Sequence, residues 1–155
     1  MAWRYDAMQQ MLGMRVERML GGCLSIWLHI AALSQHFSDP MPRVGELNQS
    51  HQNIGIECRG EKSTIAAGWF LNSVWKDAYY LTIVRRYETD NFGDLLYGIT
   101  AMEYYTPSIN TFAAFPQIGI AKEWGSIGVN MLFVPGIPNT IQPYQILFLQ
   151  FKVEI

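Results

Sequence analysis

From residue 25 onward the chain repeats one pattern, in which large apolar side chains alternate with small or polar ones in segments separated by turn residues. A period of two puts the two sets on opposite faces of an extended strand and does not fit the 3.6-residue repeat of a helix. In 53–59, Ile54, Ile56 and Cys58 oppose Gly55, Glu57 and Arg59; in 63–72, Ile65, Ala67, Trp69 and Leu71 share a face. In 127–133, Ile127, Val129, Met131 and Phe133 alternate with Gly128, Asn130 and Leu132. Segments 77–87, 95–105, 117–123 and 145–154 read as further strands, and 25–37 reads as the first, with Ile26, Leu28, Ile30 and Ala32 on one face. Stretches 39–52, 60–62, 88–94, 107–111 and 135–143 carry the Pro, Gly, Asn and Asp of turns and loops. The pattern therefore predicts an all-β fold, an eight-stranded antiparallel up-and-down barrel with an N-terminal extension. Closure removes the unpaired edges that such apolar strands would otherwise expose.

The 155 residues suffice for one domain, placed at 25–155, with 1–24 as an N-terminal extension or part of a targeting segment. Residues 20–33 form the most apolar run, with Arg15 and Arg18 before it and the small residues Ala31, Ala32 and Ser34 at its end, the order found in a secretory signal. Asp6, Glu17 and His29 interrupt that order, and residues 25–37 alternate as the first strand, which is the better reading of the segment. No uncharged apolar run reaches the length of a transmembrane helix.

Charge decides which face of the strands is the outer one. Charged residues make up only 15% of the chain, too few to coat the outside of a soluble barrel, whereas hydrophobic residues make up 50%. An outward apolar band around a small, polar interior is the arrangement of a membrane barrel. Gly55, Glu57, Gly68, Thr100, Gly128 and Asn130 are then expected to line the lumen or contact lipid, together with Thr64 and Gly119. A soluble barrel holding a small hydrophobic ligand is the other arrangement that alternation allows. The formal charge of −2 without a basic run argues against a nucleic-acid partner. Cys23 and Cys58 permit one disulfide, and neither has the spacing of a zinc site; no cofactor or metal is expected.

Among groups able to carry chemistry, His29 lies in an apolar segment and reads as a packing or hydrogen-bonding residue, and His51 as an exposed loop residue. His36 ends the first strand, where a barrel rim is expected. Asn72 and Ser73 close another strand; they serve a polar hairpin loop, or Ser73 offers a hydroxyl that His36 activates across the mouth. Glu57, Glu103 and Glu123 are expected to pair with Arg59, Arg85 or Arg86 in the lumen, since unpaired burial is expensive. The prolines of Pro135-Gly136-Ile137-Pro138 mark a turn and can interrupt a ladder.

Taken in order, these segments resemble the lipid A palmitoyltransferase family of Gram-negative outer membranes and its small barrel relatives. The matching stretches are Ser34-Gln35-His36-Phe37, Leu47-Asn48-Gln49, Ile54-Gly55-Ile56-Glu57, Phe70-Leu71-Asn72-Ser73-Val74-Trp75-Lys76, and Asn130-Met131-Leu132-Phe133-Val134-Pro135-Gly136 followed by the strand 144–153. The resemblance spans 26–155 and implies an outer-membrane or envelope location, with phospholipid and lipid A as partners. It also implies palmitoyl transfer between them, with His36, Ser73 and Asn72 at the catalytic positions. Asn72 stands where the family has an acidic residue, and the chain ends Lys152-Val153-Glu154-Ile155 where outer-membrane barrels usually close on an aromatic.

Overall fold

The computed structural model describes residues 22–37, 48–89, 91–106, 109–136 and 145–155; in 104–106 and 109–111 it describes the backbone alone. The expected extension over 1–21, most of the first loop and the prolines from Pro138 to Pro143 lie outside the described residues. The strands are β1 (Ser25–His36), β2 (Ser50–His51), β3 (Asn53–Arg59), β4 (Ser63–Leu71), β5 (Asp77–Tyr87), β6 (Asp94–Thr106), β7 (Ile109–Trp124), β8 (Ile127–Val134) and β9 (Ile146–Glu154). There is no helix among the described residues. From β3 onward each strand pairs antiparallel with the next, β3 pairs with β1, and β9 returns to β1 from Trp27↔Glu154 to His36↔Ile146, closing the sheet. The two-residue β2 extends β3 past Gln52 and pairs with β1, so the wall is the expected eight-stranded barrel with one short extra strand.

The alternation falls where the sequence puts it, with two local departures. An extra residue at Ile30 bulges β1 between His29 and Ala31. Trp27 and His29 face inward before the bulge, and Ala32 and Ser34 after it, so Ala32 leaves the outer face expected to hold it with Ile26, Leu28 and Ile30. The second departure is β7, which starts at Ile109 and not after residue 116. Its Pro116 is outward and lies just beyond the last β7–β8 pair, Ile118↔Phe133, where no neighbouring strand needs its missing N–H.

The barrel has two unlike ends. The turn end carries the end of β9 and the links 60–62, 88–93 and 125–126, the first tied by Gly60 N–H to the Ser63 carbonyl at 2.8 Å. The loop end carries the longer links 37–49 and 135–145, the link 72–76 and the two-residue link 107–108. A disulfide joins Cys23, just before β1, to Cys58 in β3, with Cα atoms 5.4 Å apart.

The outer wall is apolar: Ile54, Ile56, Leu81, Ile83, Ile99, Ile118 and Met131 are all exposed. Tyr87, Tyr97 and Trp124 stand exposed toward the turn end, and Tyr79, Phe112 and Trp75 toward the loop end. Outward charges keep to the strand ends, as with exposed Arg85 near the end of β5. Disulfides stabilise by restricting the unfolded chain. Removing this one, by reduction or by Cys58→Ser, is expected to lower the unfolding free energy by about 2–4 kcal/mol, measured by urea titration of the folded band on unheated gels. An unchanged midpoint would show that the bridge does not constrain the chain.

Candidate functional site

Inside the wall the lumen is built in layers, and the layer toward the turn end is ionic. Lys152 is the largest fully buried side chain, and its Nζ donates to Glu57 Oε1 at 2.6 Å and Glu123 Oε1 at 2.8 Å. The same ammonium lies 4.7 Å from the centre of the Trp27 ring. Gly128, its cross-strand partner, makes room for it: a Cβ there would stand 3.0 Å from Lys152 Cε and 3.1 Å from Glu123 Cγ. Arg86 donates to Glu123 Oε1 at 2.9 Å and to Asp94, and Arg59 donates to the other oxygen of Glu123. The expected lumen pairing of Glu123 with Arg59 and Arg86 is thus present, whereas Arg85 points outward and Glu57 takes Lys152 and His29 in place of an arginine.

Above this layer a hydrogen-bond network anchored on Glu57 crosses the lumen. His29 Nε2 donates to Glu57 Oε2 at 3.0 Å, which leaves Nδ1 to accept the Tyr80 hydroxyl at 2.6 Å. Tyr80 reaches His29 by lying over the cross-strand pair Gly55↔Gly68. A Cβ on either glycine would collide with its ring or hydroxyl, so these two lumen glycines are the seat of one tyrosine. Asn130 donates to Glu57 Oε2 at 2.8 Å and to Gln150 Oε1 at 3.2 Å, while the Thr100 hydroxyl bridges Thr82, at 2.7 Å, and Gln117.

A cavity continues from this network toward the loop end, with about 680 Å³ of free space counted with its open mouth. Its apolar lining includes Ala66, Phe70, Met102, Val134 and Phe148. Asn53 Oδ1, level with Phe70, and Thr64 Oγ1, Gln117 Nε2 and Asn130 Oδ1 are buried without a partner among the described residues and line the same space. Polar atoms so placed call for water or for polar groups of a ligand.

At the loop end the structure brings the sequence-predicted trio into one place. Ser73 Oγ lies 3.3 Å from His36 Nε2. Asn72 shapes the link that carries Ser73: its Oδ1 accepts from Val74 N–H at 3.0 Å and Lys76 N–H at 2.9 Å, and its own N–H donates to the Lys76 carbonyl. Trp75 completes that turn at a φ of 60°, a conformation uncommon for a bulky residue. Asn72 Oδ1 is therefore committed to the backbone, and His36 Nδ1 is buried without a partner among the described residues.

His51 corrects the sequence reading. Expected in an exposed loop, it is buried in β2 because the chain enters the β3 register two residues earlier than its polar composition suggests. Its Nδ1 donates to the Leu71 carbonyl at 2.6 Å and its Nε2 faces Ser34 Oγ at 2.7 Å. Buried Asn48 pins this entry, donating to the Leu71 and Asn72 carbonyls at 3.3 Å and accepting Ser50 N–H at 3.1 Å. Sequence reasoning also passed over Lys152, although its position two residues beyond Gln150 puts both on the inward phase of β9. Among the described residues no cluster of His, Cys, Asp and Glu is arranged to hold a metal ion. No protein-family model matches the chain, and no curated protein matches its sequence.

Lys152→Met is expected to leave Glu57 and Glu123 short of a cation in a dry interior and to cost about 3–5 kcal/mol of unfolding free energy. Adding Glu57→Gln is expected to recover part of that loss. Urea titration of both variants is the check, and a loss below about 1 kcal/mol in the single variant would mean that water reaches the site.

Proposed function

We propose that the protein is an outer-membrane β-barrel that transfers an acyl chain from phospholipid to lipid A at its loop end. The observation that carries the membrane reading is the reversed amphipathy, an apolar outer wall around an interior of buried, paired charges. Tyr79 and Tyr87 bound an outward face of β5 that is apolar at Leu81 and Ile83 and carries exposed Arg85 at the last outward position before Tyr87, at its turn-end margin. The eight steps from Tyr79 to Tyr87 at 3.4 Å span roughly 27 Å along the strand, or about 20 Å along a barrel axis at ordinary tilt, near the ~25 Å band that aromatic girdles flank in outer-membrane barrels, with Arg85 at its margin. The two longest links, 37–49 and 135–145, share one end, as the outer loops of such barrels do. The Cys23–Cys58 bridge suits an oxidising envelope compartment.

In this orientation His36 and Ser73 face the outer leaflet, where lipid A resides. The phospholipid acyl chain enters the apolar part of the lumen beside Phe70, Met102 and Phe148. A lipid A hydroxyl attacks the ester carbonyl while His36 accepts its proton; the phospholipid ester C–O bond then breaks and the proton passes to the departing lysophospholipid oxygen, with Ser73 holding the imidazole in place. One observation favours a second reading, a non-catalytic structural barrel: Asn72 is neutral and its oxygen is committed to the turn, so no carboxylate orients His36.

Mass spectrometry of lipid A from Gram-negative cells expressing the full chain separates the two. The transfer reading predicts a gain of one palmitoyl group that falls by roughly 10²-fold or more in His36→Ala and in Ser73→Ala. No gain from a folded, outer-membrane-located protein would leave the structural barrel.

A further inference from the structure

We propose that Ser34, with His51 as its base, is a nucleophile that carries an acyl group as a serine ester at the inner margin of the loop-end rim. The inference rests on the reading of the lumen as an acyl-chain site and adds a residue pair that the rim trio does not include. Three groups stand in series: the Ser34 hydroxyl, the His51 imidazole at 2.7 Å and the Leu71 carbonyl at 2.6 Å. A carbonyl only accepts, so Nδ1 bears the ring proton and Nε2 presents its lone pair to the serine O–H. That is the order a serine nucleophile requires, with the orienting role filled by a backbone oxygen. His36 is the weaker base by the same criteria, since its Nε2 is 3.3 Å from Ser73 and its Nδ1 has no partner among the described residues.

The backbone holds the pair in this geometry. Ala32↔His51 and Leu33↔Ser50 pair β1 with β2, and Ser34 N–H donates to the Gln49 carbonyl at 2.9 Å. Asn48 fixes the segment from the other side through the same Leu71 carbonyl that orients His51. The pair packs against the cavity lining: the His51 ring stands 5.8 Å from the Phe70 ring and 6.0 Å from the Phe148 ring, and both phenylalanines line that space. Ser34 is the cross-strand partner of Phe148 and the next inward residue after Ala32, another lining residue.

The step is an ordinary acyl transfer. Ser34 Oγ bonds to the carbonyl carbon of a lipid ester while His51 Nε2 takes the hydroxyl proton. The ester C–O bond then breaks, and the departing alcohol oxygen leaves with that proton. An acceptor hydroxyl or water attacks the acyl-serine, gives its proton to His51, and that proton returns to Ser34 Oγ. Nothing is oxidised or reduced.

The test is reaction of the folded full chain, in detergent micelles, with an alkyl fluorophosphonate bearing a long chain. Serine oxygen displaces fluoride from phosphorus, and peptide mass spectrometry locates the adduct. The inference predicts an adduct on Ser34 that disappears in Ser34→Ala and falls by roughly 10²-fold in His51→Gln, with migration of the folded band retained. An adduct on Ser73 and not on Ser34 would overturn it in favour of the rim pair. The absence of any serine adduct in folded wild-type protein would overturn it outright, whether or not the variants fold. Labelled Ser34 without palmitoylated lipid A in cells would sustain the inference and reject lipid A as the acceptor.

Discussion

Lys152 cannot reach water, and the shape of the barrel follows from that. An isolated ammonium in a dry interior is prohibitively unstable, so it must have carboxylates at contact distance, and Glu57 and Glu123 supply them from two other strands, β3 and β7. Each carboxylate in turn needs more than one donor. Glu57 receives His29 and Asn130 as well, and Glu123 receives Arg86 and Arg59. The result ties β1, β3, β5, β7, β8 and β9 together across the lumen, through groups that only a closed wall in this register brings together. A slip of one residue in β9 would send Lys152 to the outer face and strand both carboxylates.

With charge consumed inside, the outer wall is free to be apolar, and it is. The two choices are one design: small residues at Gly55, Gly68 and Gly128 give the long inward side chains room, while the large aliphatic and aromatic groups of the same strands face out. The lumen is sealed by ion pairs toward the turn end and opens into a cavity toward the loop end, where His36, Ser73, Ser34 and His51 gather. Both serine–histidine pairs therefore sit at one rim.

The fold was legible because a period of two runs through the long strands, broken once in β1, and because only 15% of the chain is charged. The lumen residues Glu57, Thr100 and Asn130 follow from the same phase, and all three are buried. Local events that alternation does not encode were hidden. The bulge at Ile30 re-phases the second half of β1 and turns Ser34 inward, and the early entry at β2 buries a histidine whose neighbours Gln49, Ser50 and Gln52 look like loop. The contact of His36 with Ser73 joins residues 37 positions apart, and no spacing rule predicts it. Lys152 was obscured by its place near the chain end, where a charged residue reads as solvent-exposed.

The most direct test of the reversed amphipathy is collision accessibility of nitroxide labels in bilayers, placed singly at Ile83 and Ile99, which are cross-strand partners on the outer wall. Lipid-facing sites are reached by dissolved oxygen and shielded from a water-soluble nickel chelate. The structure predicts that profile at both positions, with the reverse at an exposed turn-end position such as Glu61. Free access of the nickel chelate to Ile83 and Ile99 would place the apolar wall in water and contradict the membrane orientation of the barrel.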